Sequence, residues 1–293
     1  MSTNPSTTLG ADFSARILKC ADTPAGQALP EEAESLVHAL LGALERGELR
    51  AAERDVAGAW NAVPWVKRGI LLGFRVGRIV DMTLSGGDGA VALPFFDKHT
   101  YPPQQVPLSA GVRIVPGGSS VRRGAYLAPG VVCMPPMYVN VGAWVGAGTM
   151  IDSHALVGSC AQIGERVHLS AAAQIGGVLE PVNAAPVVIE DDVLVGGNCG
   201  VYEGTIVRAK AVLAAGVVLT RGTPVYDLVN ERVLRGDATR PLEIPPGAVV
   251  VPGARRIAQG WGESQGLSLQ TPVIVKYRDE RTDLATALEG WLR

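Results

Sequence analysis

The chain has 293 residues, room for about two domains, and a formal net charge of only −2, so its charge offers no case for nucleic acid or an anionic membrane as partner. With 36 Gly and 5% aromatic residues it suits a repetitive solenoid better than a globule with an aromatic core. Four cysteines, Cys20, Cys133, Cys160 and Cys199, lack C-x-x-C spacing; they read as small hydrophobes in a reducing compartment, and a cytoplasmic protein is expected.

In chain order, residues 1–12 are rich in Ser and Thr and lack an apolar h-region, so no signal peptide is expected and the tail should fray. Residues 30–47 place Ala33, Leu36, Val37, Leu40, Leu41 and Leu44 on one helical face, with Glu31, Glu32 and Glu34 at the positive end. A second helix is expected over 65–74. Residues 74–82 and 94–98 then read as strands or extended segments, which makes 1–110 a mixed α/β domain.

A six-residue beat follows. Val121, Leu127, Cys133, Val139, Val145, Ile151, Val157, Ile163, Leu169 and Ile175 recur in register; after a break the count runs from Ile189 through Val195, Val201, Val207, Leu213 and Leu219 to Val225. The residue two places earlier is mostly small or branched, and the one after is often Gly. That pattern is a β-helix in which each hexad is a short strand with the beat residue pointing inward, and three hexads close one triangular turn. One turn cannot bury its own inward side chains, so stacking of five to six turns supplies the core. The coil is expected over 111–240. Residues 241–293 should form a β/α cap, with strands near 249–251 and 271–277 and a helix over 283–291, covering the apolar open end. The least charged stretch, 211–220, is about half of what a membrane helix requires.

Off-beat residues are more specific. Arg113-Ile-Val-Pro, Val121-Arg-Arg-Gly-Ala-Tyr, Tyr138-Val-Asn-Val-Gly-Ala, Gly148-Thr-Met-Ile-Asp152, Val157-Gly-Ser-Cys-Ala-Gln-Ile-Gly, Val167-His-Leu-Ser and Ile175-Gly-Gly-Val-Leu-Glu-Pro, with Phe74-Arg75 and Phe96-Asp97-Lys98 upstream, resemble the tetrahydrodipicolinate N-succinyltransferases. The resemblance spans about residues 64–280. It implies a homotrimer of left-handed parallel β-helices that moves succinyl from succinyl-CoA to a cyclic amino-acid precursor in lysine and diaminopimelate biosynthesis. No permanently bound cofactor and no metal are implied.

Such chemistry needs a base for the attacking nitrogen or for the water that opens the ring, donors for the thioester oxygen, and cations for a dicarboxylate. Asp152 follows the inward Ile151 where a side chain projects from a coil corner, which suits a base in a cleft between subunits; the alternative is an Asp bonding its own turn. The resemblance implies substrate binding at Arg113 and catalysis at Asp152. It also marks a departure, because relatives carry an acidic residue where this chain has Gly200, while Glu203 matches an acidic position and is the second catalytic candidate. Arg75 is a candidate to reach a neighbouring cleft from its strand, and Arg122 to bind substrate from a coil corner beside Arg123. Asn140 and Ser170 fill the same after-beat slot as Asp152. Residues 176–186, which interrupt the beat, read as a lid. For CoA, the resemblance implies backbone groups at Ala214, Ala215 and Thr220 holding the pantetheine arm. Basic residues Arg221, Lys276, Arg255 or Arg256 would meet the phosphates.

Rival readings stay in view. A sugar or antibiotic acetyltransferase would use a His base, with His154 and His168 available. A zinc hydratase needs three His at one site, and only those two fall in the coil. A bare scaffold explains the beat but not Arg113 or Asp152.

Overall fold

The computed structural model describes residues 9–10, 12–84 and 94–278; the helix expected over 283–291 lies outside them. Helices α1 (Phe13–Ala21), α2 (Ala33–Glu45) and α3 (Pro64–Val76) form the N-terminal bundle. Alpha2 buries Leu36, Val37, Leu40, Leu41 and Leu44, the stripe its spacing prescribes. Pro64 opens α3, where a missing N–H costs nothing, and extended Gly77 ends it. A Cβ on Gly69 would lie 2.4 Å from Leu40 Cδ2, so this glycine sets how closely α3 approaches α2. Residues 74–76, expected as strand, belong to α3, because Tyr101 stacks on Phe74 and draws it into the helical core. The strand starts only at Ile79 and runs to Asp81, paired with Phe96–Lys98.

Every beat residue from Val121 to Leu219 is the second residue of a two-residue strand, and each is buried. The strands stack in parallel as three faces. Face one runs from Arg113–Ile114 through Met150–Ile151 and His168–Leu169 to Val212–Leu213; face two from Ser120–Val121 to Val218–Leu219; face three from Tyr126–Leu127 to Glu243–Ile244. We call the turn from face one to two the first corner, from two to three the second, and from three to one the third. Each fully buried Val, Ile or Leu contributes roughly 1.5–3 kcal/mol relative to an exposed one, and the beat concentrates them in one continuous core.

The N-terminal bundle seats on the second corner, where its core includes Val141 and Cys160 of the coil. Gly142 turns there at φ +74°, and a Cβ would lie 2.8 Å from Ile70 Cδ1. Only glycine accommodates both the left-handed backbone and the helix against it.

Val225 leaves the coil. Val225–Asp227 pairs with Arg232–Leu234 and with Ser268–Tyr277, and the last rungs are supplied after this excursion by Glu243–Ile244 and the start of Ala248–Arg256. The long antiparallel pair Ala248–Arg256 and Ser268–Tyr277 closes the end. Asp227 ties the closure together. Burial alone would raise its pKa, but donation from Asn230 Nδ2 at 2.9 Å, the Tyr277 hydroxyl at 2.8 Å and Arg232 Nε at 3.1 Å outweighs burial and holds it at about 2. Among the described residues no helix is long and apolar enough to cross a membrane.

Candidate functional site

The first corner carries Asp152. Its backbone N–H donates to Leu169 O at 2.9 Å, which fixes the corner, and its Oδ1 accepts the Ser153 N–H at 2.7 Å. The turn bond expected of a structural Asp is therefore present, yet it uses one oxygen. The described residues give the half-buried carboxylate no other partner. Ser170 stands one rung on, followed at the same corner by Gly196 and Ala214. Ala214 lies three rungs from Asp152, about 14 Å at the usual strand spacing. Arg113 is exposed on the first strand of face one, two rungs from Met150 and so about 10 Å from it. Arg113, Asp152, Ser170, Ala214 and Ala215 thus share one flank, and Gly196, Gly197 and Gly216 keep its later rungs free of bulk.

Glu203 lies elsewhere. It sits at the second corner, at φ +55°, and its Oε2 accepts the Arg221 N–H at 3.2 Å. Both line a cavity of about 660 Å³ with Gly176, Glu180, Pro181 and Tyr202, within the size range of small-molecule sites. Residues 176–186 wall this cavity and are tied down. Lys67 of α3, fully buried, donates to Pro181 O at 3.3 Å and Ala184 O at 2.8 Å, and burial pushes its pKa down. The loop read as a lid is fastened to α3 at these two carbonyls.

Three further candidates are redirected. Arg75 ends α3 instead of lying in a strand, and its guanidinium donates to the carbonyls of Ala21, Thr23 and Pro24, at 3.1, 2.8 and 3.4 Å, so it fastens α1 to α3. Arg122 pairs with Asp97 and packs 5.2 Å and 5.1 Å from the Phe74 and Tyr101 ring centroids; it is the joint between coil and N-terminal domain. Asn140 falls on the second corner, not beside Asp152, and its Oδ1 accepts the Val141 N–H at 2.8 Å. The after-beat slot recurs at all three corners, so sharing it does not bring side chains together.

The residues expected to hold CoA are divided. Ala214 and Ala215 are on the first corner, where Ala214 O accepts from Cys199 Sγ at 3.1 Å. Thr220, whose hydroxyl meets Thr223 Oγ1 at 2.8 Å, and Arg221 are on the second. Lys276 is exposed on the closing strand opposite Val249, while Arg255 and Arg256 lie at that strand pair's far end.

Sequence reasoning missed Tyr202 and Lys67. The Tyr202 ring lies across two glycines; a Cβ on Gly176 would be 2.7 Å from its Cδ1, and one on Gly200 would be 2.5 Å from its Cε2. A side chain at Gly200, where the resemblance led to the expectation of a carboxylate, would meet the Tyr202 ring. Paired glycines one rung apart beside an aromatic residue were the available signal. Lys67 gave none, being an ordinary polar position on a helix until the loop closes over it.

Residues 21–76 match the family model described as tetrahydrodipicolinate N-succinyltransferase N-terminal, and residues 186–221 the one described as hexapeptide repeat of succinyl-transferase. A protein of Rhodopseudomonas palustris named 2,3,4,5-tetrahydropyridine-2,6-dicarboxylate N-succinyltransferase is 40% identical over 98% of this chain and 97% of its own length. One of Bradyrhizobium diazoefficiens with the same name is 43% identical over 89% and 90%. A Campylobacter jejuni crystal structure, provisionally assigned as a 2,3,4,5-tetrahydropyridine-2-carboxylate N-succinyltransferase, superposes with TM-score 0.54 at 18% identity, covering 86% of this chain and 64% of that one. It speaks to the fold alone. Identity at this level across nearly the whole of both chains, on a coil with these corners, means that the chain belongs to the 2,3,4,5-tetrahydropyridine-2,6-dicarboxylate N-succinyltransferases, acyltransferases built on a left-handed parallel β-helix.

Proposed function

We propose that this chain transfers succinyl from succinyl-CoA to tetrahydrodipicolinate, releasing CoA, as a cytoplasmic step of lysine and diaminopimelate biosynthesis. The observation that carries the reading is the match to relatives of that name over 97% of their length. Arg113 binds an acceptor carboxylate, for which its planar fork is suited. Water adds across the ring C=N to give a carbinolamine, whose collapse to the ketone later opens the ring, and Asp152 accepts the proton that this leaves on the attacking nitrogen. That nitrogen bonds to the thioester carbon, the C–S bond breaks, and the sulfur leaves as CoA thiol after protonation. The pantetheine arm runs down the first corner past Ala214 and Ala215, where small side chains leave the backbone accessible.

Glu203, Arg221 and Thr220 occupy a different corner from Asp152, so one copy does not hold all the candidates in a single cleft. A homotrimer resolves this by setting the first corner of one copy against the second corner of the next, with Glu203 as the partner carboxylate. Thiol release with succinyl-CoA and tetrahydrodipicolinate tests the reading. Turnover with succinyl-CoA well above that with acetyl-CoA supports it; release only with acetyl-CoA, or none with this acceptor, overturns it.

A further inference from the structure

Face three carries a second cavity, of about 530 Å³, between the coil and the N-terminal hairpin Ala52–Arg54 and Trp60–Ala62. Arg50 enters it between two indoles. Its guanidinium carbon lies 4.0 Å from the Trp144 ring centroid and 5.4 Å from that of Trp60, an arrangement that favours a cation on both sides. Arg50 Nε donates at 2.9 Å to Gln162 Oε1, and Gln162, only 1% exposed, is itself held through Nε2 to Cys160 O at 2.9 Å. The orientation of the fork is therefore fixed before any ligand arrives.

No carboxylate among the described residues forms an ion pair with Arg50, and its two Nη atoms have no acceptor there. Glu190, nearby, is satisfied by Trp60 Nε1 at 3.0 Å, Arg208 Nη1 at 2.9 Å and the Ala209 N–H at 3.0 Å. Burial lowers the Arg50 pKa to about 10. Glu53 and Asp191 offset the burial only in part, and neither is within ion-pair distance; a partly desolvated cation without a contacting counter-ion is costly to keep, and here it borders a cavity wide enough for one.

We infer that this cavity binds a small carboxylate, with the carboxylate on the Arg50 fork and an ammonium group toward Asp191, the chemistry of an α-amino acid. A planar fork matches a carboxylate. Asp191 lines the same cavity and uses Oδ1 to accept the Glu165 N–H at 2.8 Å, which leaves Oδ2 for a cation. Asp191 acts on Arg50 electrostatically and disfavours a dianion there, so a dicarboxylate or phosphate suits the site less well; Glu165 is already paired with Arg166 at 2.7 Å, and Arg54, which also lines the cavity, lies 3.8 Å from Glu190. Ala128, Pro129, Ala147 and Ile189 on the cavity wall favour an apolar side chain. The site lies against face three and the third corner, apart from the corners of Asp152 and Glu203, and is independent of the proposed acyl transfer.

Calorimetry on the full chain, titrated with L-leucine, leucinol, succinate and inorganic phosphate, tests the inference. L-leucine should bind, with leucinol, succinate and phosphate each weaker by about tenfold or more, since a charge-assisted fork is at stake. Arg50→Met and Arg50→Lys should both weaken leucine by about tenfold or more, the latter because charge without the fork is insufficient. Asp191→Asn, on the exposed corner, provides the check if Arg50→Met does not fold, and should also weaken binding. Absence of leucine binding to the unsubstituted chain up to about 10 mM, unchanged binding in Arg50→Lys and Asp191→Asn, or phosphate or succinate binding as tightly as leucine would each overturn it.

Discussion

Asp152→Asn isolates the base. The amide oxygen still accepts the Ser153 N–H, now made at 2.7 Å, and the corner is still held by the Asp152 backbone bond to Leu169. Stability should change by no more than about 0.5 kcal/mol, as expected when no buried group is orphaned. Turnover should fall by about two to four orders of magnitude, the usual worth of a positioned acid–base group and equivalent to about 3–5 kcal/mol of barrier. Because Asp152 and Glu203 stand at different corners, mixing chains adds a sharper test. If each site joins the first corner of one copy to the second corner of the next, Asp152→Asn and Glu203→Gln homo-oligomers, both impaired, should regain activity when refolded together. At equal mixing about one quarter of the interfaces carry both native carboxylates, so recovery should approach a quarter of native turnover. Thiol release at saturating substrates is the assay. A fully active Asp152→Asn enzyme would sink the assignment; no recovery on mixing, with both single variants impaired, would sink the shared site.

Arg113→Lys keeps the charge but loses the fork, so calorimetry should show acceptor affinity weakened by about tenfold with succinyl-CoA affinity nearly unchanged. Lys67→Met leaves Ala184 O without its donor and removes one of two donors from Pro181 O, which keeps the Ala184 N–H at 3.0 Å; it should cost about 1–3 kcal/mol in urea unfolding, with KM rising as the cavity wall loosens. Asp227 is depressed to about 2 in the fold, so its stabilisation is complete above the unfolded carboxylate range near pH 4 and is lost as pH falls through about 2; Asp227→Asn should flatten acid unfolding in that window. Burial pushes the Cys133 and Cys160 thiols up to about 12, so neither should be alkylated by iodoacetamide at pH 8 until the chain is unfolded.

The coil was legible because its rule is local. A beat residue must point inward at every sixth position whatever the rest of the chain does, so Val121 through Leu219 could be assigned to rungs from spacing alone. Alpha2 was legible for the same reason, its apolar stripe repeating at helical period. What spacing does not carry is which corner a residue occupies relative to another. Asp152, Ser170 and Asn140 fill one slot in the hexad, yet three hexads make a turn, so Asn140 stands on a different corner from the other two. Two arginines were misread for a related reason. Arg75 and Arg122 look like free cations until α1 and Asp97 arrive from distant sequence to engage them. Lys67, Tyr202 and Arg50 acquire their roles only when a loop, a glycine pair or two indoles close around them, contacts between residues far apart in sequence that no periodicity records. Sequence alone determined the inward core and the family; tertiary structure decided which polar side chains are spent on holding domains together and which remain available for chemistry.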